Sequence, residues 1–124
     1  MPLTIDTNIL IYHLERDQQV SKTLEQWLLD GERLFVSAIT RLELFAAPIL
    51  RENEEKKIYR LLEQFVLVPV DAQMADIAAL VRRRYGLQLG DSIIAATALL
   101  TNSSLVTRNV RDFKKIAELN ILTL

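Results

Sequence analysis

The 124-residue sequence has no cysteine, three glycines, three prolines and a single histidine, His13. The lack of cysteine excludes disulfides and thiolate zinc sites. A lone histidine cannot supply the several convergent ligands that a zinc site needs. No apolar run approaches the ~20 residues of a membrane helix, and the N-terminus lacks the basic and apolar segments of a secretory signal. We therefore expect no membrane association and a cytoplasmic location.

The remaining composition is typical of a globular protein, with 50% hydrophobic and 25% charged residues. A chain of this length can bury one hydrophobic core and is too short for two. We therefore expect residues 1–124 to form a single domain.

Apolar patterns predict strands that alternate with helices. The predicted strands are residues 3–5, 34–36, 66–70, 105–107 and 121–124. The predicted helices are 8–14, 20–30, 37 or 40 to 50 with Pro48 disturbing the last turns, 52–65, 71 to about 84, 91–100 and 111–119. This alternation favours an α/β fold with three layers, α/β/α, around a short central parallel sheet of about four to five strands.

Four acidic residues lie at or just past the predicted strand ends, where helices should begin. They are Asp6, Glu43, Asp91 and Asp112. Because the carboxyl ends of parallel strands lie along one edge of a sheet, these side chains can converge in one crevice. Clustered carboxylates raise one another's pKa unless a cation lies among them. The pattern therefore predicts a divalent-metal site.

Each acid also has a purely structural interpretation. Asp6 and Asp91 can be ordinary helix N-caps, and the stretch from Thr40 to Glu43 has the form of a capping box. The stretch 109–112 is a weaker capping box. The four acids taken together favour the metal site over these alternatives.

Polar side chains accompany the acids. Thr7 and Asn8 follow Asp6, and Thr107 and Asn109 follow another predicted strand. Ligands that offer only oxygen point to a hard cation such as Mg²⁺ or Mn²⁺.

The charge balance is compatible with a polyanionic substrate once the site acids are set aside. The net charge is −1, but removing the four acids leaves 12 acidic against 15 basic residues, a balance of +3. Solvated helix surfaces are the alternative role for the basic residues. The candidate phosphate contacts are Arg82, Arg83 and Arg84, and then Arg108, Arg111, Lys114 and Lys115.

At these same residues the sequence resembles the PIN-domain ribonucleases, particularly the VapC-type toxins of toxin-antitoxin pairs. The resemblance extends over the whole chain. Its segments are Ile5-Asp6-Thr7-Asn8, Ser37-Ala38-Ile39-Thr40 leading to Leu42-Glu43-Leu44, residues 89–98 around Gly90-Asp91-Ser92, and Leu105-Val106-Thr107-Arg108-Asn109 with Asp112-Phe113.

The resemblance implies a Mg²⁺-dependent endoribonuclease, with Mn²⁺ as a possible substitute, that cleaves RNA phosphodiester bonds. It implies a homodimer and a cognate antitoxin, and an apolar surface near Tyr12, Leu14, Leu44 and Phe45 is consistent with both. Many relatives carry an acid where Asn109 stands, so either Asn109 or Asp112 can complete the site. By the same resemblance, Asp6, Glu43, Asp91 and Asp112 are the catalytic and metal-binding residues, and Thr7, Asn8, Thr107 and Asn109 are their polar neighbours.

Two other functions also place acids at strand ends. A phosphatase or phosphotransferase of the haloacid dehalogenase type needs a second acid two residues after its nucleophilic aspartate, where this chain has Asn8. A receiver-like signalling domain, which is not an enzyme, needs paired acids after its first strand, and this chain lacks the pair.

Overall fold

The computed structural model describes residues 1–46 and 52–124. Its centre is a five-stranded parallel sheet with the strand order β3-β2-β1-β4-β5. The strands are β1 (Leu3–Ile5), β2 (Leu34–Ser37), β3 (Val66–Val68), β4 (Ser104–Val106) and β5 (Ile121–Leu122). This order differs from the 2-1-3-4-5 order of receiver-like folds. The receiver-like alternative is therefore wrong.

Helices connect the strands, as parallel pairing requires. They are α1 (Thr7–Leu14), α2 (Gln18–Leu29), α3 (Ala38–Phe45), α4 (Glu52–Leu62), α5 (Ala72–Tyr85), α6 (Leu89–Leu100) and α7 (Val110–Phe113). None of the helices in the described part of the chain is long and apolar enough to cross a bilayer.

The central strands β1 and β4 are buried, and the neighbouring residues Leu105 and Val106 of β4 point into two different hydrophobic clusters on opposite faces of the sheet. Leu3 and Ile5 of β1 pack with residues of α1, α2 and α4, whereas Leu105 of β4 packs with residues of α5, α6 and α7. Burial of each such leucine or isoleucine contributes roughly 1.5–3 kcal/mol. The two clusters confirm the predicted three-layer α/β/α fold.

The predicted central helix, α6, is buried along most of its length. Every residue from Ser92 to Ala98 in α6 is buried. Small side chains let α6 lie against both α5 and the sheet, and Thr97 satisfies its hydroxyl by donating to the Ile93 carbonyl at 2.8 Å. The Ala-rich sequence of this segment therefore has a packing cause.

Several predicted helix ends are confirmed by their caps. The Asp71 side chain accepts from the Met74 N–H at 2.9 Å at the start of α5, and Gly86 ends that helix with φ 69°. Ser37 caps α3 by accepting from the Ile39 N–H at 3.1 Å. Gly31, with φ 73°, follows the C-cap of α2.

Other boundaries differ from the prediction. The last predicted helix ends at Phe113 instead of residue 119, because the N–H groups of Ile116 and Leu119 bond to carbonyls three residues back, in tighter turns than an α-helix. The strand predicted for 66–70 ends at Val68, since Pro69 has no N–H for the ladder. Helix α3 ends at Phe45, short of the predicted residue 50, and Pro48 lies outside the described residues.

Candidate active site

The centre of the candidate site lies at the carboxyl ends of the neighbouring strands β1 and β4. From β1 the chain continues to β2 and β3 on one side of the sheet, and β4 and β5 lie on the other. In parallel α/β sheets, ligands bind outside the carboxyl ends of the strands at such a switch in strand order. Asp6 follows β1 and Thr107 follows β4, and the Thr107 hydroxyl donates to Asp6 Oδ2 at 2.7 Å between these two strand ends.

Asp6 is buried, with 3% of its surface exposed. It occupies the N-cap position of α1, but its side chain makes no capping hydrogen bond. Burial raises the pKa of Asp6, the Thr107 hydroxyl and the backbone of Thr7 and Asn8 oppose that rise, and the charge of Glu43 adds to it. The carboxylate of Asp6 therefore lies beside the first residues of α1 and is bonded to Thr107 at the end of β4.

Glu43 lies in the last turn of α3, so the predicted capping box from Thr40 to Glu43 is wrong. The cap of this helix is Ser37. Glu43 Oε1 instead accepts a hydrogen bond from the Thr7 hydroxyl at 2.8 Å. A Cβ atom placed on Gly90 would lie 3.6 Å from Glu43 Oε2. Glu43 therefore lies between the starts of α1 and α6.

Asp91 lies in the first turn of α6, whose N-cap is Gln88. The N-cap interpretation of Asp91 is therefore wrong, because the Ser92 N–H bonds to the Gln88 carbonyl and starts the helix earlier than predicted. Burial, and after it the charges of Asp6, Asp112 and Glu43 in that order, together raise the pKa of Asp91 to about 6. The four predicted acids are thus close enough to repel one another.

Asp112 is held by Asn109. The Asn109 side-chain amide donates to Asp112 Oδ2 at 3.1 Å, and the Asn109 backbone N–H donates to the Thr107 hydroxyl at 2.9 Å. Asn109 has the N-cap position of α7 without a side-chain capping bond, so the weak capping box predicted there does not form. A chain of hydrogen bonds therefore connects Asp112 through Asn109 and Thr107 to Asp6.

The placement of the acids corrects one prediction. Only Asp6 directly follows a strand, whereas Glu43 and Asp112 lie within α3 and α7, and Asp91 follows α5 and a loop. They still converge because α6 packs against both β1 and α3, which brings its first turn to the strand ends. Helices, and not strand ends, supply three of the four carboxylates.

The site has the chemistry of a hard-cation site. All four acids offer oxygen, and His13 is engaged elsewhere, with Nδ1 2.8 Å from Ser21 Oγ. Within residues 1–46 and 52–124, no group of three or more His, Cys, Asp or Glu side chains is placed so that it could hold a metal ion by itself. Mg²⁺ does not need one, because it keeps several waters and takes only one or two carboxylates. An open group of mutually repelling carboxylates therefore fits such an ion.

The basic residues predicted to contact phosphate differ in whether they already bond to other groups of the protein. Arg108 donates to Asp17 Oδ2 at 3.0 Å and to the Leu124 carbonyl at 3.1 Å, and lies 4.6 Å from the centre of the Tyr12 ring. It holds α1, α2 and the C-terminus together, and its phosphate contact stays a prediction. Arg82 donates to the Leu87 carbonyl at 3.1 Å. Arg82 is nonetheless exposed, and so are Arg83, Arg84, Arg111, Lys114 and Lys115.

The predicted apolar contact surface is also partly corrected. Leu44 is buried in the core, at 3% exposure, because it faces inward from α3. Phe45 packs against Tyr59, with ring centroids 4.6 Å apart. The apolar residues that do remain exposed beside the acids are Leu42, at 61%, and Leu89, at 63%.

Thr40 lies next to this site, although only a capping role was predicted for it. Its hydroxyl oxygen lies 2.8 Å from that of Thr7, which contacts Glu43. Residues three apart on a helix lie on the same side, so the spacing of Thr40 and Glu43 was a signal that could have found it.

Known proteins resemble this chain in sequence and in fold. The PIN domain family matches residues 3–119. Ribonuclease VapC1 of Rickettsia felis is 34% identical and aligns with 99% of this chain and 96% of its own length. Ribonuclease VapC19 of Mycobacterium tuberculosis is 32% identical, with 93% of this chain and 94% of its own covered.

A solved toxin-antitoxin complex from Klebsiella pneumoniae contains a chain with the same fold. The TM-score is 0.80 and the identity 30%, and the alignment covers 94% of each chain. Since the family match spans nearly all of the sequence and the structural match spans the whole fold, the protein belongs to the PIN-domain family.

Proposed function

We propose that this protein is a VapC-type endoribonuclease, the toxin of a toxin-antitoxin pair, acting as one domain over residues 1–124. The observation that carries the proposal is the convergence of four carboxylates at the switch in strand order, where each of the other three acids raises the pKa of Asp91. Relatives that align over almost the full chain are ribonucleases. The proposed catalytic and metal-binding residues are Asp6, Glu43, Asp91 and Asp112.

The family to which the protein belongs is metal-dependent. We assign Mg²⁺ as the ion, with Mn²⁺ as a substitute, because the site offers only oxygen ligands. When bound, such an ion lowers the pKa of a coordinated water and offsets the charge that develops on the phosphate oxygens. Without it, the four carboxylates repel an RNA backbone.

The neighbouring polar residues orient the acids. Thr107 and Thr7 each have one hydroxyl hydrogen, and they donate it to Asp6 and Glu43 respectively. They therefore hold carboxylates and have no hydrogen left for a phosphate. The Asn109 side-chain amide likewise donates to the Asp112 carboxylate. Asn8 is exposed beside Asp6, and its amide is the group we assign to an RNA phosphate oxygen.

An antitoxin and a second copy of the chain are the proposed protein partners. A groove of about 460 Å³ between α1, α2 and α4 is lined by apolar residues including Leu24, Leu28 and Phe65, and it suits an apolar antitoxin segment. Leu80 on α5 is 56% exposed and borders a second groove of about 470 Å³, which suits the dimer contact. Sedimentation of a monomer at micromolar concentration would refute the dimer. The proposed location is the cytoplasm.

The test is cleavage of RNA by purified protein with Mg²⁺ and with a chelator. Asp6→Asn should lower cleavage about 100-fold or more if its charge holds the ion. Asp76→Asn makes the same change at an exposed position on α5 and is the matched control. Equal activity of Asp6→Asn and wild type would remove Asp6 from the site, and metal-independent cleavage would overturn the proposal.

A further inference from the structure

The Glu43 carboxylate is connected to the protein interior by two hydroxyl groups. Thr40 is fully buried and Thr7 is 5% exposed. Thr40 Oγ1 lies 2.8 Å from Thr7 Oγ1, and Thr7 Oγ1 lies 2.8 Å from Glu43 Oε1. The three side chains therefore form a continuous chain from the core to the site.

The direction of the hydrogen bonds follows from the number of hydrogens. A threonine hydroxyl has one hydrogen and can accept through its oxygen. Since Thr7 donates its hydrogen to the Glu43 carboxylate, the bond between Thr7 and Thr40 must use the hydrogen of Thr40. Both bonds thus point from the core toward the carboxylate, and each donor polarises the next in a low-dielectric setting.

The two ends of this chain lie on the same helix. Thr40 and Glu43 are both in α3, whereas Thr7 is the first residue of α1, directly after Asp6. The hydroxyl of Thr7 therefore ties the helix that carries Glu43 to the segment that carries Asp6. The orientation of Thr7 depends on Thr40, because without that donor its oxygen has no described side-chain partner except Glu43.

We propose that Thr40 is a positioning residue of the ribonuclease site, acting through Thr7 to orient the Glu43 carboxylate toward the divalent ion. This inference rests on the proposed function. Thr40 does not touch substrate or ion. Its role is to fix the direction in which the Thr7 hydroxyl donates. That direction in turn fixes the rotamer of Glu43, whose side chain is exposed to solvent.

The first test replaces the hydroxyl by a methyl group of the same shape. Thr40→Val should weaken Mn²⁺ or Mg²⁺ binding, measured by calorimetry, and lower kcat, each about 10-fold, as expected when a hydrogen-bond partner of a metal ligand is lost. KM should change little, because RNA does not contact Thr40. Thr40→Ser keeps the hydroxyl and should restore both quantities.

Thr4→Val is the matched control. Thr4 is also fully buried and bonds to another hydroxyl, Ser103 Oγ at 2.6 Å, but it lies on β1 before the site. This variant should keep the metal affinity of the wild type, whatever its effect on Tm. An equal loss of affinity in Thr4→Val would mean that any buried hydroxyl matters, and the proposal would be wrong.

A double variant tests whether Thr40 acts through Thr7. Thr7→Val should weaken metal binding by itself, and adding Thr40→Val to it should have no further effect, because the path to Glu43 is already broken. If the double variant instead loses metal affinity by the product of the two single losses, Thr40 acts independently of Thr7 and the inference is overturned.

A readout without metal or RNA separates this inference from the proposed function. In NMR spectra of the metal-free protein, the hydroxyl protons of Thr7 and Thr40 should exchange slowly, and Thr40→Val should shift the Thr7 hydroxyl and the Glu43 carboxyl carbon. Absence of these shifts overturns the positioning role even in an active ribonuclease. Intact shifts in a protein that cleaves no RNA would overturn the proposed function alone.

Discussion

Replacing Asp91 by asparagine should stabilise the metal-free protein near neutral pH. Burial and three neighbouring carboxylates raise the pKa of Asp91 from 3.8 to about 6. That displacement corresponds to about 3 kcal/mol at ~1.4 kcal/mol per pH unit. Solvent screening at this half-buried side chain reduces the expected cost of its charge to ~1 to 2 kcal/mol. Asp91→Asn removes this cost.

The pH dependence gives the sign of the effect. Because the pKa of Asp91 is higher in the folded than in the unfolded chain, the folded chain binds more protons between about pH 4 and 6. The free energy of unfolding of the wild type should therefore fall as the pH rises through that window. Asp91→Asn should remove this decline, so its advantage should be large at pH 7.5 and nearly absent at about pH 4.

Urea unfolding in chelator at both pH values measures the difference, with Asp76→Asn as the control for the same chemical change at an exposed position. A gain of ~1 to 2 kcal/mol should raise Tm at pH 7.5 by roughly 3 to 10 °C. Mg²⁺ should stabilise the wild type more than Asp91→Asn, because the wild type has the additional repulsion between Asp91 and the other three acids for the ion to relieve. If Asp91→Asn is no more stable than wild type at pH 7.5, the carboxylates do not repel as argued.

Two further predictions concern the ligands and their control. Glu43→Gln should weaken metal binding and RNA cleavage about 10- to 100-fold with little change in Tm, because the amide oxygen can still accept from Thr7. Wild-type affinity in a calorimetric titration would return Glu43 to a structural role. In the cognate antitoxin, replacing an Arg or Lys that enters the crevice among Asp6, Glu43 and Asp91 by Ala should weaken inhibition, since a basic side chain pairs with clustered carboxylates. Full inhibition at matched occupancy would instead indicate that the antitoxin blocks RNA entry.

The fold was largely predictable because the strands are short, apolar and separated by helix caps that act locally. Asp71, Ser37 and Gly86 end or begin helices through bonds and backbone angles within a few residues. The helix predicted for 111–119 was wrong beyond Phe113, because apolar residues three apart suit successive tight turns as well as an α-helix.

The sequence singled out four acids that the structure brings near one another, but not the way in which the fold brings them together, and their catalytic role stays a prediction. The four acids were recognised by their residue type and by the resemblance of the sequence to a family. Three of them were nevertheless predicted at strand ends, whereas the structure places them in helices. Leu44 was misplaced because a sequence pattern does not show which side of a short helix is covered. The contacts of Arg108 with Asp17 and Tyr12 were likewise not visible in the sequence.

The sequence by itself determined the elements, the parallel α/β class and the oxygen-only donor set, because helix caps, apolar periodicity and residue chemistry are local properties. Only the tertiary structure decided which hydroxyl holds which carboxylate, since Thr107 meets Asp6 and Thr7 meets Glu43 across long stretches of chain. The same packing of α6 against β1 and α3 brings Asp91 near the other three acids and raises its pKa. Electrostatic coupling depends on distance in space, which the order of residues does not specify.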